Sequence, residues 1–227
     1  MNEANEQEVV QPQLSAIEAR LLGVLMEKQQ TTPDAYPLTL NSLVLGCNQK
    51  TSREPVSNYS SGEVQRCARE LTEKKLIHID PSGRADRYAQ RLTATMGIDK
   101  GVQALLCVML LRGAQTVHEL LTRTQRMHHF ENDPQVETIL DQLCQDSPPM
   151  MQRIPRQTGQ REDRFVHLLC GAPDLSAIAA KRSDSKPVIL NERNEQVETL
   201  EKRVAELENK LDFLMTELEL TAPQAED

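Results

Sequence analysis

Residues 60–92 read SSGEVQRCARELTEKKLIHIDPSGRADRYAQRL, and this stretch decides the fold. Ser60 followed by Glu63 is a capping box, in which hydroxyl and carboxylate each satisfy a backbone N–H left free at a helix start. Val64, Cys67, Ala68 and Leu71 then recur at the i, i+3, i+4, i+7 spacing of an amphipathic helix. Leu76-Ile77-His78-Ile79 predicts a strand, Asp80-Pro81-Ser82-Gly83 a turn, and Asp86 to Leu92 a returning strand.

Upstream, Ser15 and Glu18 form another capping box, and Ile17, Leu21, Val24, Leu25 and Lys28 trace a helical face ending near Thr31-Thr32-Pro33. Pro37 can open a second helix carrying Leu40, Leu43 and Val44, which Gly46 and Asn48 would close. Gln49 to Tyr59 is too rich in Ser, Asn and Pro for regular structure. Three helices and a hairpin make a winged helix-turn-helix.

The same order recurs downstream. An apolar helix over Ile98 to Leu111 precedes a second helix started by Thr116 and Glu119, and Asp133-Pro134 opens a third. Its Val136, Ile139, Leu140 and Leu143 repeat the earlier apolar spacing 72 residues on, and Asp163-Arg164-Phe165-Val166 mirrors Asp86-Arg87-Tyr88-Ala89 at a shift of 77, within a hairpin from Met150 to Leu169. Two matches in order point to internal duplication. The expected fold class is mainly α with small β-hairpin wings (α+β): two tandem winged helix-turn-helix domains and a C-terminal coiled-coil helix.

The expected divisions are an unstructured segment 1–13, a first winged-helix domain 14–93, a second 94–170, a linker 171–188, a coiled coil 189–220 and an unstructured tail 221–227. From Val197 through Leu200, Val204, Leu207, Leu211 and Leu214 to Leu218 the intervals alternate three and four, a strict heptad. Arg203 at a g position would face Glu208 of a partner helix, favouring a parallel homodimer; the alternative is a helix packing back on its own domains.

The net charge of −8 is unevenly spread. Residues 48–91 hold nine Lys/Arg against six Asp/Glu, or +3; residues 127–170 hold four against seven, or −3; residues 191–227 hold four against eleven, or −7. Binding answers to the local field, so a basic first domain stands beside acidic remainders. The amino terminus has neither a basic n-region nor an apolar h-region, and no eighteen apolar residues run together, so no membrane partner and a cytoplasmic location are expected. Five widely spaced cysteines read as reduced thiols, with Cys67 and Cys144 at apolar helix positions.

Leu25-Met26-Glu27-Lys28, Tyr36-Pro37-Leu38-Thr39-Leu40-Asn41 and Asn48-Gln49-Lys50-Thr51-Ser52-Arg53-Glu54-Pro55 resemble the YceH family of bacterial proteins, as do Leu111-Arg112-Gly113-Ala114-Gln115-Thr116 and Pro155 to His167. The likeness covers about residues 14–170. It implies two winged-helix domains and no established activity. Ala114 stands where that family usually has Pro.

In a winged helix the third helix enters the major groove and the wing touches phosphate or the minor groove. The expected contacts with duplex DNA are therefore Gln65, Arg66, Arg69 and Thr72 on the helix, Lys50 and Arg53 before it, and Arg84 and Arg87 at the wing. These could equally be solvated charges, with Glu70 and Glu73 pairing to Lys74 and Arg69. In the second domain the shift of 72 puts Glu137 and Asp141 at the Gln65 and Arg69 positions, which repels phosphate and suits a protein contact, although Arg153, Arg156, Arg161 and Arg164 leave its wing basic. His128-His129 lacks companion ligands at metal spacing. No Gly-rich phosphate loop or nucleophile motif is present, so no enzyme, catalytic residue, metal or cofactor is expected. The rival reading is a protein-interaction scaffold.

Overall fold

The computed structural model describes residues 12–81, 85–156 and 160–175. The turn residues Ser82 and Gly83, Arg84, and the whole heptad from Val197 to Leu218 lie outside the described residues.

The fold is mixed α+β. The first half contains α1 (Ala16–Thr31), a 3₁₀ turn (Pro33–Ala35), β1 (Leu38–Thr39), α2 (Leu40–Cys47), α3 (Ser61–Glu73), β2 (Ile77–Asp80) and β3 (Arg87–Gln90). After α4 (Leu92–Met96) come α5 (Lys100–Arg112), α6 (Val117–Thr124), α7 (Asp133–Gln145), β4 (Met151–Ile154) and β5 (Arg164–His167). The capping boxes at Ser15, Ser60 and Thr116 all form, each with glutamate three residues on. Pro37 does not open α2 as expected. It leads into β1, and Thr39 caps α2 by accepting from the Ser42 N–H.

The sheets show how the halves correspond. In the first, β3 lies antiparallel between β1 and β2, with Leu38 opposite Tyr88 and Ile77 opposite Gln90. In the second, β4 and β5 pair with Met151 opposite His167, and one antiparallel bridge joins Gln115 to Phe165. The pairs Leu38–Tyr88 and Gln115–Phe165 are both separated by 77 positions from one half to the other, as are the caps Thr39 and Thr116. The caps of α3 and α7, Ser60 and Asn132, differ by 72. The recurrence of the order helix, helix, helix, hairpin is thus a structural repeat.

The two repeats share one apolar core within a unit that ends at Leu175. In α5 every residue from Gly101 to Leu111 is buried, and α1 is buried from Glu18 to Met26, which marks helices enclosed on most sides. They pack on each other at Gly23, where an added Cβ would stand 2.9 Å from Leu111 Cγ. Beside it the Cys107 thiol donates to the Gly23 carbonyl at 3.3 Å. Burial pushes the thiols of Cys47 and Cys67 up to about 12, as befits inert core groups, whereas Cys144 is half-buried and Cys170 exposed. No described helix is long and apolar enough to cross a membrane.

Candidate nucleic-acid interface

The amphipathic stripe of α3 buries Val64, Cys67, Ala68 and Leu71 and turns Arg66 and Arg69 outward, with Gln65 half-buried beside them. Neither arginine, nor exposed Lys50, enters a salt bridge among the described residues. The local pairing of Glu70 with Lys74 does not occur, because Lys74 reaches back to Glu18 of α1 at 2.6 Å. Burial raises the Tyr88 phenol and Asp86 adds to the rise, while the Arg69 charge opposes it. Arg87 on β3 is exposed, and its Nη1 donates to the Pro37 carbonyl at 3.1 Å. Thr72 is half-buried and its hydroxyl donates to the Ala68 carbonyl at 2.8 Å, so that hydrogen is engaged within its own helix.

Arg53 requires a correction. It is 5 % exposed and cannot meet phosphate as expected. Its Nη2 donates to Glu27 Oε2 at 2.6 Å and Nη1 to Oε1 at 3.2 Å, a two-pronged bridge across 26 positions of sequence. Nε holds the Gly46 carbonyl at 3.0 Å and Nη1 the Ser52 carbonyl at 2.9 Å. Arg20 is buried too: Nη1 donates to the Cys47 carbonyl at 3.1 Å and Ser57 Oγ at 3.0 Å, and Nη2 to the Pro55 carbonyl at 2.6 Å. Asn48 closes the loop against Tyr59 with two bonds of 2.7 Å. The segment before α3 is therefore irregular but fastened, with Lys50 at its exposed edge. Arg20 and Glu27 were missed as site residues. Their signal was a spacing of seven, which puts the two charges on one stripe of the helix, on either side of the apolar run Leu21 to Met26.

The second repeat has a different surface. Arg153 on β4 lies 2.6 Å from Glu137, 3.1 Å from Asp141 and 3.5 Å from Asp163, with its guanidinium 4.9 Å above the Phe165 ring. Arg164 pairs with Glu119 at 2.6 Å. Two of the four arginines expected to make this wing basic are thus neutralised within the fold. Arg156 and Arg161 stay exposed, at a mixed-charge cleft of about 420 Å³ that also includes His118, Asp133 and Glu162. No group of three or more His, Cys, Asp or Glu among the described residues could hold a metal ion, and His128 packs edge-on against Phe130 at 4.6 Å.

The family model described as "Protein of unknown function, DUF480" matches residues 14–160, which takes in the first repeat and the second as far as β4. The chain belongs to this family. Similar proteins include a UPF0502 protein of Cellvibrio japonicus, 59 % identical over 208 residues and covering 91 % of this chain and 93 % of that one. Another, from Mesorhizobium japonicum, is 43 % identical with 89 % and 97 % covered, and one from Stenotrophomonas maltophilia is 44 % identical with 88 % and 93 % covered. The DUF480 match takes in the Arg53–Glu27 bridge and the α3 face.

The same geometry sets a pH response. Burial alone would raise Glu27, but hydrogen bonding and charge from Arg53, with help from Lys28, hold its carboxyl below the ordinary value; Lys74 and Ser15 do the same for Glu18 against its burial. These depressed carboxylates contribute stability above the unfolded value of about 4.3 that is lost as pH falls through their folded values. His167 is buried, with no partner for Nδ1 among the described residues, and is pushed down to about 4, so the unfolded chain binds the extra proton between about 4 and 6.5. Its neutral form therefore stabilises fully above about 6.5 and progressively less toward 4. Urea titrations should show stability falling first below about pH 6.5 and again below about 4.3. His167→Gln should remove the first decline. A variant that retained it would assign that decline elsewhere.

Proposed function

We propose that this chain is a DNA-associated regulatory protein whose two repeats are tandem winged-helix domains, of which the first binds duplex DNA through α3, Lys50 and the β2–β3 wing. One observation carries the reading: Arg66, Arg69 and Lys50 are exposed and enter no ion pair among the described residues, whereas the equivalent face of α7 presents Glu137 and Asp141 bridged by Arg153. Arg66, Arg69 and Gln65 can reach base edges or phosphates, Lys50 and Arg87 phosphates. Arg84 would add to the wing. In this reading the heptad from Val197 to Leu218 supplies a parallel homodimer. Light scattering at tens of micromolar should then give twice the chain mass, and a monomeric mass would remove the dimer.

The test is a fluorescence titration of labelled duplex DNA with the full chain. Binding is expected at about 50 mM salt, and it should weaken with salt along a slope of about −3 to −4 for four phosphate contacts. No binding at that salt, or a slope near zero, would overturn the proposal.

A protein-interaction scaffold is the second reading, favoured by two exposed apolar side chains, Leu45 on α2 at 73 % and Val56 in the following loop at 56 %. A defined protein partner retained after charge reversal at Lys50, Arg66 and Arg69, and lost on Leu45→Asp, would support it over DNA.

A further inference from the structure

The proposed DNA face depends on a loop, residues 48–59, that lacks helix or strand and yet is bonded to both repeats. Arg53 ties it to α1 through Glu27, and the Glu54 N–H donates to the Leu111 carbonyl in the last turn of α5 at 2.8 Å. Because α5 also packs on α1 at Gly23, the second repeat is part of the loop's support.

We infer that Arg53 is a positioning residue for the DNA face, fixing the path of the loop that presents Lys50 and leads into α3. The inference rests on the DNA reading above. Three features argue for it. Arg53 is too deeply buried to contact DNA, so any effect on binding must pass through other groups. Its planar fork is matched on one side to the Glu27 carboxylate and on the other to the carbonyls of Gly46 and Ser52, a pattern that lysine cannot reproduce. Gln49, next to Lys50, accepts a further bond from Nη2 at 3.3 Å, so the clamp lies on both sides of the exposed cation. A loop ordered before binding does not lose that freedom on the DNA, which raises affinity without a new contact. The second repeat then acts as a buttress for the first, consistent with an α7 surface that offers no free basic face.

The decisive comparison uses Glu27→Met/Arg53→Met, which removes the buried pair as a unit and leaves no lone charge inside. Arg53→Lys, which keeps the charge but loses the fork, serves if the double variant does not fold. Each is titrated with duplex DNA across a salt range, with Lys50 present and with Lys50→Ala. In the wild-type background Lys50→Ala should reduce the salt slope by about one. In the folded clamp variant the affinity should already be lower, and Lys50→Ala should leave the slope unchanged. The same slope change in both backgrounds, or a clamp variant that binds like wild type, would show that Arg53 serves the fold alone and overturn the inference. A wild-type chain that does not bind duplex DNA refutes the DNA reading instead. Hydrogen exchange then decides the positioning: faster exchange at amides 49–54 in the folded clamp variant supports it, and unchanged exchange overturns it.

Discussion

Arg53→Met alone is expected to destabilise the fold by about 3–5 kcal/mol, a large part of the stability of a typical domain. The arginine side chain is fully shielded and its Glu27 partner 17 % exposed, so removing the guanidinium leaves a carboxylate inside the protein with only Lys28, at 3.3 Å, to offset it. The carbonyls of Gly46 and Ser52 lose their side-chain donor at the same time. Adding Glu27→Met should restore most of the loss, since a buried pair exchanged for apolar side chains is often neutral. Urea unfolding followed by circular dichroism measures both variants. A cost for Arg53→Met below about 1 kcal/mol would mean that the pair behaves as a solvated surface bridge.

Phe165→Ala should cost about as much, roughly 3–5 kcal/mol, for a different reason. Phe165 is 1 % exposed and occupies in the second repeat the place of Tyr88 in the first, on the returning strand and bridged through its backbone to Gln115 just ahead of α6. Truncation leaves a cavity, and it also removes the surface on which the Arg153 guanidinium rests, 4.9 Å from the ring centroid. Released from that seat, Arg153 would neutralise Glu137 and Asp141 less well. Phe165→Leu, which keeps most of the volume, should be much milder. Thermal unfolding of the two variants separates packing from backbone effects, because the paired N–H and C=O groups of Gln115 and Phe165 are the same in both. Equal midpoints for both variants would contradict the packing described.

Much of the fold was legible because its signals are local. Three capping boxes and the stripe of α3 depend only on residues within two turns, and each is found where the sequence places it. The repeat was legible because it conserves spacing, and the paired registers of Leu38–Tyr88 and Gln115–Phe165 express the shift of 77 in hydrogen bonds. Three short elements escaped notice, the 3₁₀ turn Pro33–Ala35, β1 and α4. β1 has two residues and exists by virtue of pairing with β3 some fifty positions later, and α4 follows a strand without a side-chain cap. The outward placing of Arg66 and Arg69 was legible in the stripe of α3, whereas the burial of Arg53 in the loop was not. A stretch of Ser, Asn and Pro reads as solvated, and nothing near Arg53 in sequence announces that its carboxylate partner lies on α1. Likewise the arginines of the second hairpin looked available until tertiary packing placed Glu137, Asp141 and Glu119 against them.

The central claim is that one repeat alone meets DNA, and the most direct measurement compares two double variants of the full chain in salt-dependent DNA titrations. Arg66→Ala/Arg69→Ala should weaken binding strongly and reduce the salt slope by about two. Arg156→Ala/Arg161→Ala, which removes the exposed arginines of the second hairpin, should leave affinity and slope as in wild type. The reverse pattern, with the second pair required and the first dispensable, would contradict the assignment of the DNA face to α3.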